Sequence, residues 1–522
     1  MIVCPNCGAN LKFNPKSGSM QCDFCGSTFD PKEFDVSNDA EEQTIEEQSD
    51  PYDNKEEDTY DVTIYTCPQC GGELLSVDEN TAAAFCSFCG ASTILTARIA
   101  KDKRPEYIIP FSVTKEDCKK AYLNMVRKAL FLPKEYKSPE YIDGFSGINM
   151  PYWSYDVVQK GPVKLKGERS HRSGDYIITE HYNLTGNIDA TYEGISYDAA
   201  STFSDSISEA LSPFDVTKRV PFEPSYMSGF YADIADVDRG LYAKEASDFA
   251  YDRSLERIKS ETSEFHRFSI SDLKQKEGTD KDKVTDTSRT SFSSRTVAAH
   301  SSMYPVWFLS YRNHDRVTYA TVNGQTGKAV ADLPIDIRKY LIGTAVLAAL
   351  IFVFLNMFLI LRPATLLIIA IILTVAVFII NASQRSSIQE VVEGTRDKGL
   401  THTRNKIRLS RQNKLKMSGE NTDGTEDNNK KKGNDLPEKI KVEEAEMAGF
   451  EKISLAVGKI MVIIELLTVF AITPVSDLPY YVMVMIDALI FIFSFKYTLI
   501  NYNLMATRRL PQFDRKGGDD RA

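Results

Sequence analysis

Hydrophobic and polar positions divide the chain into a mixed N-terminal part and an apolar C-terminal part. After Arg338-Lys339 the charges disappear: residues 341–361 form one uncharged run, Arg362-Pro363 breaks it, and 364–380 form a second. Beyond a long polar insert, 455–473 and 478–500 make another pair around Pro474-Val475-Ser476-Asp477. Apolar helical runs of roughly 17 to 25 residues match a hydrocarbon core of about 30 Å. The pattern predicts four transmembrane helices in two hairpins, over 340–381 and 455–501. Arg338, Lys339, Arg385, Lys452, Arg508 and Arg509 flank one side and only Arg362 the other, so both termini, the 382–454 loop and the 502–522 tail are expected to be cytoplasmic.

Ahead of the membrane runs the periodicity is mixed. Thr114 and Asp117 read as a capping box, and Cys118, Tyr122, Met125, Val126, Ala129 and Leu130 follow at helical spacing until Pro133. Alternating runs at 153–158, 163–167 and 176–190 read as strands, and a helix is expected over about 241–261. A closing pair of strands, 304–311 and 316–322, is expected to turn on Asn323-Gly324, a strong hairpin dipeptide. The two tryptophans, Trp153 and Trp307, each follow a proline by two residues at an expected strand start. The fold class is therefore multidomain, with a cytosolic α+β domain over 104–336 rich in antiparallel strands.

The N-terminal hundred residues carry a different signal. Eight of the nine cysteines form two copies of one pattern, Cys4, Cys7, Cys22, Cys25 and then Cys67, Cys70, Cys86, Cys89. Each copy reads C-x2-C, a gap of about fifteen residues, and C-x2-C, which brings four thiolates to one tetrahedral Zn²⁺. Gly8, Gly26, Gly71 and Gly90 follow the second cysteine of each knuckle, where the turn needs positive φ. Residues 1–29 and 64–100 are read as two small β zinc ribbons holding two structural zinc ions. Four thiolates close the coordination sphere, so neither ion is expected to be catalytic. Residues 30–63, dense in Asp and Glu, read as an acidic disordered linker.

Charge and cysteine usage narrow the function. The 522-residue chain has a formal net charge of −10, unlike a chain built to coat nucleic acid. Ribbon cations are few: Lys12, Lys16 and Arg98. Metal-spaced cysteines point to a reducing compartment, and Met1-Ile2-Val3-Cys4 enters the first knuckle without a signal-peptide pattern. Both expectations place the ribbons in the cytosol.

Two further groups are candidates for chemistry. Glu465 and Asp487 fall at similar depth in the second hairpin and form a candidate intramembrane polar site, whereas Lys459 and Lys496 lie toward its ends. Arg404, Lys406, Arg408, Arg411, Lys414 and Lys416 make an acid-free stretch that suits anionic lipid or nucleic acid. Gly324-Gln325-Thr326-Gly327-Lys328 lacks the G-x4-G-K-[ST] spacing of a phosphate loop. Neither H-E-x-x-H nor G-x-S-x-G occurs, and the chain is expected not to be an enzyme.

The CPxCG…CxFCG pairs, the Pro110-Phe111 and Pro221-Phe222 segments, Tyr304-Pro305-Val306-Trp307, and the stretch from Val322 to Lys328, followed by membrane spans, together resemble a group of largely uncharacterised bacterial proteins. Their ribbons are described as transcription factor IIB-type, and some carry a replication-restart helicase label. The resemblance implies zinc binding and bacterial origin. The helicase label does not extend to a chain without a nucleotide-binding loop. The expectation is a membrane-anchored, non-enzymatic binding or scaffolding module with membrane lipid and a protein as partners. Nucleic-acid binding by the ribbons and a role as a small transporter or channel subunit are the alternatives.

Overall fold

A computed structural model of the chain describes residues 2–34, 59–77, 86–91, 96–262, 267–270, 292–358, 362–393, 397–403, 405–406, 458–472 and 475–511. In the first ribbon, β1 (Leu11–Asn14) and β2 (Ser19–Cys22) pair antiparallel with Leu11 opposite Cys22, and β3 (Thr28–Phe29) joins β2. Alternation sets the facing: Leu11, Phe13, Met20 and Cys22 are buried and Lys12 is exposed. The buried face is covered by residues 226–228. Phe13 N–H donates to the Ser228 carbonyl at 3.1 Å, the Ser228 hydroxyl donates to the Leu11 carbonyl at 2.5 Å, and the Phe13 ring meets Tyr226 edge-on at 5.4 Å.

The second ribbon is not a separate body. β4 (Thr59–Thr66) enters its first knuckle, β5 (Glu73–Ser76) leaves it, and β6 (Thr96–Lys103) follows the second knuckle. β4 pairs with β5 and β6, and β5 continues through Leu75 to Ala232 of β11 (Tyr231–Ala232) into a sheet of thirteen strands. This corrects the acidic-linker boundary. Residues 59–63, placed in the linker by composition, alternate as Tyr60 and Val62 in, Thr59 and Asp61 out, and form strand. Residues 31–34 form a short 3-10 turn, and 35–58 lie outside the described residues.

The centre of the large sheet is a pair of very long strands. β8 (Ser146–Ser173) turns at Gly174 into β9 (Tyr176–Asp198), and Tyr152 to Ser173 pair continuously with Asp198 to Tyr176 apart from one bulge near Asp156. On its other side β8 pairs with β13 (Ser293–Asn313) up to Lys160 and with β12 (Arg267–Ile270) from Leu165. The expected break between 158 and 163 is absent. Gly161 takes φ 138°, and Pro162 falls between the last β13 pair and the first β12 pair, where a missing N–H costs least.

The expected hairpin turn is also displaced. β13 reaches β14 (Arg316–Asn323) through His314, whose φ of 54° makes the tight turn. Asn323-Gly324 instead leads from β14 to β15 (Ala329–Ala331), and the Asn323 side-chain oxygen accepts from the N–H groups of Gln325 and Thr326 at 2.9 Å. Both tryptophans are core. Their indole N–H groups donate to the backbone carbonyls of Val237 and Val113, each at 2.9 Å.

Helices pack on this sheet. β7 (Tyr107–Ile108) leads to α1 (Lys115–Arg127), which has the predicted cap: Asp117 N–H donates to Thr114 Oγ1 at 3.2 Å, and Thr114 Oγ1 donates to the Asp117 carboxylate at 2.9 Å. Cys118, Tyr122 and Val126 are buried, while Leu130, past the helix end, is exposed. α2 (Pro139–Ile142), α3 (Asp205–Leu211) and α4 (Ala243–Glu261) are the further α-helices described in the sheet domain, and β10 (Val220–Pro221) pairs with β7.

Three helices among the described residues are long and apolar enough to cross a membrane: α5 (Ile337–Phe358), α6 (Pro363–Glu393) and α7 (Leu478–Met505). α5 exposes Leu347, Leu350, Phe352 and Phe354, an apolar surface that lipid satisfies and water does not. The expected fourth span, 455–473, is described only over 458–472, which is helical and ends in a π turn at Thr468–Ile472. Gly458 lets it approach α6 closely, since an added Cβ would lie 2.1 Å from the Phe378 ring. Leu367, Ile371 and Tyr480 join α6 and α7 in one core with Val462 and Val469.

The polar segments beyond the spans return to the sheet domain. The tail is not free: β16 (Arg508–Arg509) pairs with Arg316 and Val317 of β14, and Arg508 lies 3.5 Å from Asp332. Residues 397–406, assigned to the polar loop, dock beside α4. Lys398 N–H donates to Asp205 at 2.8 Å, Lys398 pairs with Glu245, and Lys406 Nζ lies 2.6 Å from Asp238. Gly399 fits against Val237 and the Tyr242 hydroxyl, both within about 3.2 Å of where a Cβ would stand.

Candidate metal centres and polar sites

Both cysteine tetrads converge. Within each, the four sulfurs lie within 4.8 Å of one another. Cys4 and Cys25 are 3.6 Å apart and Cys7 and Cys22 3.5 Å; Cys67 and Cys89 are 3.8 Å apart and Cys70 and Cys86 3.7 Å. These separations exceed a disulfide bond of about 2.0 Å. They approach the value of about 3.8 Å that a tetrahedron with Zn–S bonds near 2.3 Å requires. Each tetrad can therefore hold one metal ion, and thiolate donors in this geometry suit zinc.

The backbone explains the convergence. In all four knuckles the glycine N–H donates back to the first cysteine's carbonyl at 2.8 to 2.9 Å, and Gly8, Gly26, Gly71 and Gly90 adopt φ between 69° and 75°. A β-carbon would be strained at each of these positions.

The two centres differ in exposure. All four cysteines of the second are buried, whereas Cys7 and Cys25 of the first are exposed. The cause is what covers the second knuckle of each. Phe88, inside C-S-F-C, is 1% exposed, packs edge-on against Phe308, and has its carbonyl held by the Tyr319 hydroxyl at 2.8 Å. The Ser310 hydroxyl donates to the Cys86 carbonyl at 3.4 Å, and Arg312 reaches Gln69 at 2.6 Å. Phe24, the corresponding residue of C-D-F-C, is 83% exposed. Sequence reasoning missed this contrast, because the two copies share the Phe and only the tertiary partner of the second buries it.

Ribbon cations are mostly committed. Lys12 pairs with Asp23 at 2.9 Å and Arg98 with Glu73 at 3.2 Å. Of the cationic stretch, Arg404, Arg408, Arg411, Lys414 and Lys416 lie outside the described residues. Lys406 contacts Asp238 of the sheet domain, which places it on protein and not on a lipid surface.

Glu465 and Asp487 are 0% and 1% exposed, and neither oxygen of either carboxylate has a hydrogen-bond partner. Thr374 of α6 is 1% exposed in the same bundle, whose helices share one core through Leu367, Ile371, Tyr480, Val462 and Val469. The structure thus buries both members of this predicted pair within one helix bundle. Lys459 and Lys496 are exposed.

One charged cluster was not anticipated. His300 of β13 lies between Glu106, at 2.6 Å from Nδ1, and Asp156, at 3.3 Å from Nε2, with Arg239 3.7 Å from Glu106. Hydrogen bonds to Asp156 and Glu106 outweigh burial and hold the imidazole up to about 9. Burial pushes both carboxyls up, but the contacts with His300 more than offset it and keep them below their ordinary values. In the docked segment, burial and the neighbouring Asp205 push Asp397 up to about 6.

The chain is 27% identical over 341 residues to the uncharacterized protein YdjG of Bacillus subtilis (strain 168), a match covering 64% of this chain and 90% of that protein. An uncharacterised bacterial relative agrees with the group that the ribbon motifs resemble. A 55-residue stretch is 40% identical to the adenylate kinase of Clostridium perfringens (strain 13 / Type A), covering 10% of this chain and 23% of the kinase. That share is too small to bring the kinase's activity with it. No protein-family model matches the chain, and no solved structure matches it significantly.

Proposed function

We propose that this chain is a membrane-anchored zinc-ribbon protein that works as a non-enzymatic docking module at the cytosolic face of a bacterial inner membrane. The observation that carries the reading is the contrast between Phe88 and Phe24. The second ribbon spends its aromatic knuckle on its own sheet domain, and the first presents the same knuckle to solvent at 83% exposure. An exposed aromatic on a metal-stiffened turn costs little entropy to bind with, which suits a protein-binding anchor.

The ribbons are of transcription factor IIB type in this reading, with one structural zinc each. The segment around 458–472 completes a fourth crossing, which puts both ends of the chain on the side of the sheet domain. Arg338, Lys339, Arg508 and Arg509 cluster at the junction with that domain and favour a cytosolic orientation. A non-catalytic role is supported by the closed four-sulfur centres. It is supported also by the 323–328 loop, a strand-to-strand turn whose Lys328 donates to the Ser212 carbonyl at 2.5 Å. Nucleic-acid binding is the weaker reading, since Lys12 and Arg98 are already paired with Asp23 and Glu73.

The test is affinity capture of the intact protein from membranes, comparing the native chain with a Cys4→Ser, Cys67→Ser variant. Loss of co-purifying protein from the variant is expected. Identical partners in both would remove the ribbons as the recognition element.

A further inference from the structure

Polar side chains recur every seventh residue along the buried face of α7: Tyr480, Asp487, Ser494 and Asn501. Seven residues are about 10.5 Å of helix, so the row runs about 31 Å, from Asn501 at the end nearest the sheet domain through Asp487 to Tyr480 at the opposite end. α6 faces it with Thr374 and Asn381, which are 1% and 7% exposed. The two rows are joined where Asn381 donates to the Ser494 carbonyl at 3.2 Å and the Thr498 hydroxyl donates to Asn381 at 2.8 Å. Glu465 enters from the 458–472 helix, one turn before the π segment at Thr468–Ile472, a distortion that recurs at functional sites.

Where the rows meet, the hydrogen-bonding account does not close. Both oxygens of Glu465, both of Asp487, and the hydroxyls of Thr374 and Ser494 are buried without a partner. Leu367 and Ile371, on the same face of α6, supply no donor. The lysines of these helices, Lys459 and Lys496, are exposed and turn away. Two carboxylates left in this state among apolar helices would be very costly, and a small cation removes the cost without needing a protein donor.

We propose that Glu465, Asp487 and the Thr374 hydroxyl form an intramembrane binding site for a small monovalent cation, a proton or Na⁺, reached along the Asn501–Ser494 row. Carboxylate and hydroxyl oxygens are the donor set such a cation takes. This site is separate from the ribbons and stands or falls independently of the docking role.

The test uses the full-length protein in lipid nanodiscs and an apolar carbodiimide, which reacts with protonated carboxyls in apolar surroundings, followed by peptide mass spectrometry. Modification of Glu465 or Asp487 is expected. If the occupant is Na⁺, excess NaCl at constant pH lowers the modification at least ~10-fold relative to choline chloride, a difference of about 1.4 kcal/mol. If it is a proton, NaCl has no effect and the modification falls as pH is raised. Thr374→Val, which keeps the volume and removes only the hydroxyl, weakens Na⁺ protection in the first case and shifts the pH dependence in the second. The proposal is overturned if neither acid is modified between about pH 5 and 9, or if modification is insensitive to both Na⁺ and pH.

Discussion

Asn503, in the last turns of α7, reads the backbone of Ile335 just ahead of α5: its side-chain nitrogen donates to the Ile335 carbonyl at 2.8 Å, and its side-chain oxygen accepts from the Ile335 N–H at 2.7 Å. Entry to the first membrane helix and exit from the last are thereby stitched at one level. Arg316 strengthens the junction by donating to the carbonyls of Leu504 and Thr507 at 2.8 and 2.6 Å. Replacing Asn503 by Leu leaves two partly buried backbone groups unpaired, at a cost of about 1–3 kcal/mol. The expected result is faster hydrogen exchange at the Ile335 amide with the Trp153 and Trp307 core unchanged. Unaltered exchange at Ile335 would show that the pairing does not hold the junction.

The unequal covering of the two tetrads predicts unequal metal release. Chelator reaches the first centre through the exposed Cys7 and Cys25, whereas the second opens only with the sheet domain around Phe88 and Phe308. Release followed by a colorimetric zinc indicator should show two phases of equal amplitude. Cys4→Ser should abolish the fast phase alone, and Cys67→Ser the slow one. A single phase, or loss of the slow phase in Cys4→Ser, would contradict the assignment.

His300 predicts a pH profile. Its ordinary value is near 6.5 and its folded value about 9, so folding favours the protonated imidazole. That stabilisation is complete below about pH 6.5, shrinks as pH rises, and is gone above about 9. Glu106 and Asp156, held below their ordinary values, act in the opposite sense and lose their contribution as pH falls through the carboxylate range. Stability should therefore be greatest between about pH 5 and 6.5. His300→Gln should cost about 2 kcal/mol at pH 6 and flatten the alkaline limb of melting temperature against pH. Parallel profiles for the two proteins would show that the cluster is not linked to folding.

What the sequence made legible was local. The knuckles rest on residues four apart and the α1 cap on Thr114 and Asp117, and short-range chemistry alone determines both. The long-range joins were hidden. Nothing near Cys67 announces that β5 will pair with Ala232, since that contact depends on a strand more than 150 residues away. Gly161-Pro162 reads as punctuation, yet the partners of β8 change there and the strand continues. Asn323-Gly324 is a true turn, but it serves β15, because β13 and β14 already turn at His314. In the membrane region Glu465 and Asp487 stood out as charges. The seven-residue polar row of Ser494, Asn501, Thr374 and Asn381 emerges only when the helices are set side by side.

The knuckle aromatics should separate stability from docking. Phe88→Ala empties a buried site against Phe308 and should cost about 3–5 kcal/mol. Phe24→Ala removes an exposed ring and should change stability by less than about 0.5 kcal/mol. Chemical denaturation of the two variants checks this, and equal losses would mean that both knuckles are structural.

The most direct measurement places a photoreactive phenylalanine analogue at position 24 of the full-length protein and irradiates intact membranes. A second analogue at Ile99, 74% exposed on β6, serves as the control for chance encounter. The docking account predicts a discrete protein adduct at position 24 that is absent at 99 and disappears with Cys4→Ser. No adduct at 24, or the same adducts at both positions, would contradict it.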